Sequence, residues 1–520
     1  MTTTTGSMPD KLDSGVLKIA GVVVLGAIMS ILDITVVSVA LPTFQAEFNA
    51  TYATVAWTMT GYTLALATVI PLTGWAADRF GTKRLYIAAL VLFVFGSVLC
   101  ATADSVSQLI AYRVLQGLGG GMLMPLGMTI MTRAAGPARI GRLMAVLGVP
   151  MLLGPIGGPI LGGWMIESLS WHWIFLINAP IGVVAIAYAA IVLPKDRPSP
   201  SESFDFVGML MLSPGLAAFL YGVSSIPEQG TVFAGKVLIP AVIGALLILA
   251  FIFHAFRPTH PLIDLRLFKN RNLTIAVIAM FLFCVAFFGA GLFIPSYFLQ
   301  VRGESTLQAG LLMAPQGLGA MLTMPLAGRL VDKMPVGRVV PFGILGIILG
   351  MGVFTQLSVD TPYALVLGAL FVMGMGMGAT MMPIMTSALK ALNDHEIARG
   401  STLVNIVQQI ASSVGAAVMS VVLTSNIKGS EAASALAAGQ NDPSILARLT
   451  PQAIGQGLAD MADGFSMVFT VALALVIVTL VPVLLMPRKH EESHIGEGAD
   501  DADGVEGAEG AEGAPPVLLH

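Results

Sequence analysis

Long apolar stretches dominate this chain. About fourteen runs of roughly 20 apolar residues follow one another, and that is the length an α-helix needs to cross the hydrocarbon core of a bilayer. Lipid offers the backbone no hydrogen-bond partners, so each run must satisfy its own as a helix. The short alternating pattern of a membrane β-barrel is absent. Composition agrees: of 520 residues, 56% are hydrophobic and 11% charged, against about 25% charged in an ordinary soluble domain. So little charge cannot coat a soluble core, which excludes a soluble enzyme, a nucleic-acid binder and a disordered chain. Cys100 and Cys284 both lie in apolar runs. Two thiols build neither a disulfide framework nor a metal cluster.

Basic residues set the expected orientation, because loops rich in Lys and Arg stay on the cytoplasmic side. With the N-terminus inside and an even number of spans, nearly all 26 Lys and Arg fall in inside segments. The exceptions are Lys236, Arg302, Lys428 and Arg448 outside, and Arg113 within a span. Both termini are thus expected in the cytoplasm, in a multi-pass protein of the cell (plasma or inner) membrane. The runs near 207–226 and 237–255 are interrupted by Pro214 and Pro240. Residues 426–463 form the longest outside loop, and 491–520 an acidic, Gly/Ala-rich tail expected to be solvated and disordered.

Two charges sit where charge is costly. Asp33 lies deep in the first run, and Arg113 is the one Lys or Arg left inside a span. Ionisable groups at such depth are paired, protonated or functional. Pairing favours the charged carboxylate, and separating the pair in an apolar bundle favours the protonated one. Asp33 and Arg113 are therefore the proton-coupling candidates. After the second run comes Gly74-Trp-Ala-Ala-Asp78-Arg79-Phe-Gly81-Thr-Lys83-Arg84, and after the tenth a looser copy, Gly328-Arg-Leu-Val-Asp332-Lys333-Met-Pro-Val-Gly337-Arg338. Small residues let helix ends approach, and an Asp can pair with the positive end of a helix. The same sign in both halves of the chain is a repeat, as expected of secondary transporters that rock about a central site.

The first copy resembles the cytoplasmic loop motif of the major facilitator superfamily. Three further stretches sharpen the likeness: Leu32-Asp33-Ile-Thr35-Val-Val-Ser-Val-Ala-Leu41-Pro42; Arg113-Val-Leu-Gln116-Gly117-Leu-Gly119-Gly120-Gly121; and Gly154-Pro-Ile-Gly-Gly158-Pro159-Ile-Leu-Gly162-Gly163, followed by Trp171-His172-Trp173-Ile-Phe175-Leu-Ile-Asn178-Ala-Pro180. Together these resemble the fourteen-helix drug:proton antiporters over nearly the whole chain. His172 departs from the Arg common there. The resemblance implies a major facilitator fold, all-α and polytopic: a six-helix bundle in 1–200, two additional central transmembrane helices in 201–264, and a second bundle in 265–490. It implies a conformational gate made of Gly74, Asp78, Arg79, Gly81 and Arg84 with Gly154, Gly158, Pro159 and Gly162, the last group being the mark of exporters. Spacing alone says that Gly154, Gly158 and Gly162 share one face, suited to close contact with a helix of the other half.

Polar and aromatic groups within spans are the substrate-binding candidates: Trp57, Tyr62, Gln116, Asn405, Gln408 and, on a methionine-rich face with Met373 and Met381, Met377. Adaptable Met surfaces suit promiscuous binding. Neither a phosphate-binding loop nor a soluble domain to hold one is present, so no ATP, cofactor or metal is expected. The reading is a proton-coupled antiporter, not an enzyme, exporting amphipathic small molecules by alternating access, with protons and the lipid bilayer as its other partners and no nucleic acid. Its oligomeric state is open, a monomer among the options. The alternatives are a dedicated exporter of one metabolite, lipid or siderophore, and a non-coupled facilitator or sensor, the latter two disfavoured because a passive fold has little reason to keep the costly Asp33. The two central runs, lacking charge and motif residues, are expected at the periphery.

Overall fold

The computed structural model describes residues 14–135, 139–196, 203–229, 231–393, 396–441 and 448–488. The acidic tail, expected to be disordered, lies outside them. Fourteen long helical segments carry the architecture: α1 Ser14–Glu47, α2 Tyr52–Phe80, α3 Thr82–Ala101, α4 Val106–Ala135, α5 Ile140–Ser168, α6 Trp173–Val192, α7 Phe206–Ser224, α8 Gly235–His254, α9 Arg271–Gln300, α10 Ala314–Lys333, α11 Val336–Phe354, α12 Tyr363–Lys390, α13 Ile397–Gly429 and α14 Pro451–Leu484. Among the described residues there is no strand. Twelve of these segments are both long and apolar enough to cross a membrane. α10 is not among them. In α10, Gln316, Arg329, Asp332 and Lys333 dilute the apolar window.

Pro214 and Pro240 do not interrupt their helices, contrary to the sequence expectation: α7 and α8 run through both. A proline removes one backbone donor, and in a membrane bundle the neighbours absorb that defect. The loop expected at 426–463 is shorter, because α13 reaches Gly429 and α14 starts at Pro451. A short helix, Glu431–Asn441, lies between them and packs on α14.

The helix pairings repeat. In the first part of the chain α1 packs on α5, α2 and α3 on α4, and α3 on α6; in the second, α9 packs on α13, α10 and α11 on α12, and α11 on α14. Glycines allow these approaches. A Cβ at Gly117 would stand 2.5 Å from Tyr62 O in α2, and one at Gly119 2.5 Å from Phe93 N in α3. The run Gly117 to Gly121 is thus a packing surface on two sides of α4. The two parts meet through α2 with α13, α5 with α10, and α4 with α13. α7 lies against both α2 and α13, and α8 against α7. Tyr221 of α7 stacks on Trp57 at 5.5 Å, and Phe253 of α8 is 73% exposed.

Candidate functional site

Five helices converge on Asp33. Arg113 Nη1 of α4 donates to Asp33 Oδ2 at 2.5 Å. Gln116 Nε2, one turn further along α4, donates to Asp33 Oδ1 at 2.8 Å and to Ser97 Oγ of α3 at 2.7 Å. Asn178 Nδ2 of α6 reaches Ser97 Oγ at 2.9 Å and Asp33 Oδ1 at 3.3 Å. From α2, Thr58 O accepts from Arg113 Nε at 3.1 Å, and the Tyr62 ring lies 4.1 Å from the guanidinium carbon. Asp33, Arg113, Gln116, Ser97, Thr58, Tyr62 and Asn178 are all buried. A buried ion pair is tolerable only when its remaining donors and acceptors are satisfied, and this ring of amides, hydroxyls and a backbone carbonyl does that.

Sequence reasoning paired Asp33 with Arg113, and the structure brings them together. Two of the expected substrate ligands, Gln116 and Tyr62, lie against this pair. Gln116 is fully buried, its carbonyl oxygen accepting from Arg113 at 2.7 Å. Tyr62 supports the guanidinium and shares a 3.3 Å hydrogen bond with Ser30. Trp57 is 40% exposed and faces α7. Met377 is buried in α12, and Asn405 of α13 donates to Met128 Sδ at 3.0 Å and Ser401 O at 2.8 Å. Gln408 is half-buried one turn beyond Asn405. Ser97, Thr58 and Asn178 were missed as ligands of the pair: a lone serine in an apolar helix carries no periodic signal, Thr58 acts through its backbone carbonyl, and Asn178 was read only as part of a motif.

A second cluster occupies the end of the bundle where the basic loops gather. Asp78 Oδ1 lies 3.6 Å from Arg133 Nη2 of α4, and Asp78 Oδ2 lies 3.7 Å from Arg399 Nε of α13. Gly74 permits this: a Cβ there would stand 3.1 Å from Thr402 Oγ1 and 3.3 Å from Ala398 O. One or two turns deeper, Thr129 and Ser401 share a 2.7 Å hydroxyl contact, and Ser401 Oγ donates to Pro125 O at 3.3 Å. These contacts tie α2 and α4 to α13. Gly81 has φ +91°, and a Cβ there would collide with Asp196, whose carboxylate accepts from Lys83 N and Arg84 N at 2.8 and 3.0 Å. A left-handed backbone and a filled space both require glycine at that turn. Arg79 and Arg84 point outward. In the second copy Asp332 pairs with Lys390 at 3.6 Å, and Gly337 N donates to Pro487 O at 3.2 Å.

The glycine face of α5 corrects an expectation. Gly158 and Gly162 abut Thr35 and Val36 of α1, within the same part of the chain, whereas α5 meets the other part through α10. α1 carries the costly Asp33 and needs close support at that depth, which a side chain on α5 would prevent. Gly154 and Pro159 lie in the α5 backbone, and their surroundings are outside the described residues. Gly158→Leu is expected to destabilise the protein by about 1–3 kcal/mol through overpacking. Gly163→Ala, where a Cβ meets nothing within 4 Å, should match the parent. Thermal unfolding of the purified proteins compares the two.

The chain matches the Major Facilitator Superfamily over residues 23–416. It is 50% identical over 503 residues to the multidrug resistance protein B homolog of Mycobacterium tuberculosis H37Rv, covering 94% of this chain and 93% of that protein. It is 31% identical over 404 residues to the uncharacterized MFS-type transporter YhcA of Bacillus subtilis, covering 78% and 76%. Among solved structures, the fold is similar to that of the human organic anion transporter MFSD10, with TM-score 0.59 at 16% identity over 89% of this chain and 100% of that one. It is similar also to the proton:xylose symporter XylE, with TM-score 0.53 at 17% identity over 89% and 95%. A twice-copied loop motif, a repeated helix pairing and these likenesses agree, and the chain belongs to the Major Facilitator Superfamily as a multi-pass membrane transporter.

Proposed function

We propose that this protein exports amphipathic organic compounds in exchange for protons, with Asp33 as the group that binds the proton and Arg113 as its partner. The observation that carries the reading is the fully buried Asp33–Arg113 pair, joined by four further side chains. A static bundle has little use for so costly a pair. Multidrug resistance in the name of the mycobacterial relative supports the substrate class.

The proposed layout is fourteen spans with both termini in the cytoplasm: bundles in 1–200 and 265–490, and α7–α8 as a peripheral insert that does not line the substrate path. The positive-inside bias supports this orientation. On this reading the Asp78–Arg399 and Thr129–Ser401 contacts close the cytoplasmic side, and the conformation faces outward. Protonation of Asp33 from outside loosens its hold on Arg113. Loss of the proton to the inside restores it, and substrate travels the other way. A substrate-dependent proton flux in proteoliposomes, measured with ethidium as an amphipathic cation, tests the function. Absence of any proton movement coupled to ethidium would refute it.

Asp78→Asn should spare binding and slow turnover. Each partly exposed ion pair is worth about 1 kcal/mol, so losing two reduces turnover by up to roughly thirtyfold. Ethidium binding without a gradient should stay at the parent value. Loss of binding together with thermal instability would instead make the loop purely structural.

A further inference from the structure

α6 runs on through Ile177, whose backbone is helical and whose N–H donates to Trp173 O at 3.0 Å, and Asn178 follows it. The two oxygens of Asp33 are held differently. Oδ2 carries the Arg113 ion pair, and Oδ1 accepts from the amides of Gln116 and Asn178. The charge fixes the sense of both amides, because a carbonyl oxygen turned toward a carboxylate would be repelled. A carboxylate only accepts, whereas a carboxylic acid also donates. Once Oδ1 takes a proton from the outside solution, N–H groups aimed at it become donors facing a donor, and one must turn. Gln116 is pinned at both ends, by Arg113 on its oxygen and Ser97 on its nitrogen. Asn178 makes the longer contact with Oδ1, 3.3 Å against 2.8 Å, and its other bond is to the Ser97 hydroxyl at 2.9 Å, not to the ion pair.

We propose that Asn178 is a positioning residue that reads the protonation state of Asp33: its amide donates to the carboxylate, turns to accept from the acid, and passes the change to the Trp173–Leu176 segment of α6. That segment holds Phe175, whose ring lies 5.8 Å from the Arg113 guanidinium carbon and stacks on Phe44 of α1 at 6.3 Å. Protonation at Oδ1 thereby moves both the ion pair and the aromatic packing beside it. The inference rests on the proposed coupling role of Asp33. The titratable groups interacting with the pair are Arg113 itself from α4, Tyr62 from α2 and Cys100 from α3. α1 adds Lys18 and Glu47 towards its ends, α5 brings Glu167 near its C-terminal end and α6 brings Tyr188 near its own.

The test uses the purified full chain and ethidium-induced proton release measured against pH. Asn178→Leu keeps the volume but can neither donate nor accept. It should still bind ethidium, with the midpoint of release moved by about one pH unit toward alkaline, because the bond lost by the carboxylate is stronger than the one lost by the acid. Asn178→Gln, which keeps the amide, should recover more than half of that shift. A packing role alone would move stability and leave the midpoint in place. An unmoved midpoint in Asn178→Leu overturns the proposal when Asp33→Asn has abolished release. Release persisting in Asp33→Asn overturns the coupling reading beneath it. Should Asn178→Leu not fold, Asn178→Ala serves with an infrared readout. The carboxylic C=O band of protonated Asp33, absent from Asp33→Asn, is expected to shift, and an unmoved band overturns the proposal.

Discussion

Asp33→Asn is expected to abolish proton-driven efflux while leaving a folded, inserted protein that still binds substrate. The amide keeps the carboxylate's shape but leaves the Arg113 charge uncompensated, so some stability is lost with the charge, and nothing remains to titrate. The size of the loss follows from the driving force. One proton crossing 100 mV carries about 2.3 kcal/mol, which for a neutral substrate sustains roughly a fiftyfold gradient per proton. The variant should sustain none, equilibrating substrate at best. For a monovalent cation exchanged with one proton the charges cancel, so only the pH difference drives export. The measurement is accumulation of a neutral dye and of ethidium in inverted vesicles under imposed pH and voltage gradients. Gradient-driven accumulation of either probe at the parent level would remove Asp33 from the coupling role.

The folding pattern was legible because lipid leaves a chain few choices. Apolar length gave helices, the two loop motifs gave the repeat, and the pairings of α1–α6 recur in α9–α14. Hydropathy was less reliable at α10, where Gln316, Arg329 and Asp332 lower the window although the helix packs tightly on α5 and α12. Proline misled in the opposite direction. Pro214 and Pro240 read as interruptions, yet α7 and α8 pass through them, since a bundle can satisfy one missing donor.

At the site, charge was legible and polarity was not. Asp33 and Arg113 stand out in any apolar run, because each needs a partner and few are available. Gln116 needs partners too, but its sequence position does not say whether substrate or protein supplies them, and the structure gives it Asp33, Arg113 and Ser97. Ser97 looks in sequence like any small residue of a packed helix. Thr129 and Ser401 are 272 positions apart and meet only because α4 and α13 cross. Trp57 was read as a ligand from its type, and its neighbour Tyr221 belongs to a helix with no motif at all. Contacts between distant helices follow from tertiary packing, which short-range patterns do not encode.

Arg113→Ala should also stop the cycle, and its rescue pattern is the more informative of the two. Removing one partner of a buried pair leaves the other charge uncompensated, at a cost of about 3–5 kcal/mol. The least costly escape is for Asp33 to stay protonated, which ends the cycle as surely as removing it. Transport should fall more than about a hundredfold, the factor that roughly 3 kcal/mol implies. Arg113→Lys should recover only part. Lys keeps the charge, but its single ammonium cannot reproduce the fork that bonds Asp33, Gln116 and Thr58 together. Combining Asp33→Asn with Arg113→Ala should restore thermal stability toward the parent, since no charge is left stranded, without restoring coupled transport. The two single effects on stability will then fail to add, by an interaction of about 0.5–3 kcal/mol. Additive stabilities, or an Ala variant that transports at the parent rate, would make Arg113 a packing residue and leave Asp33 without its partner in the cycle.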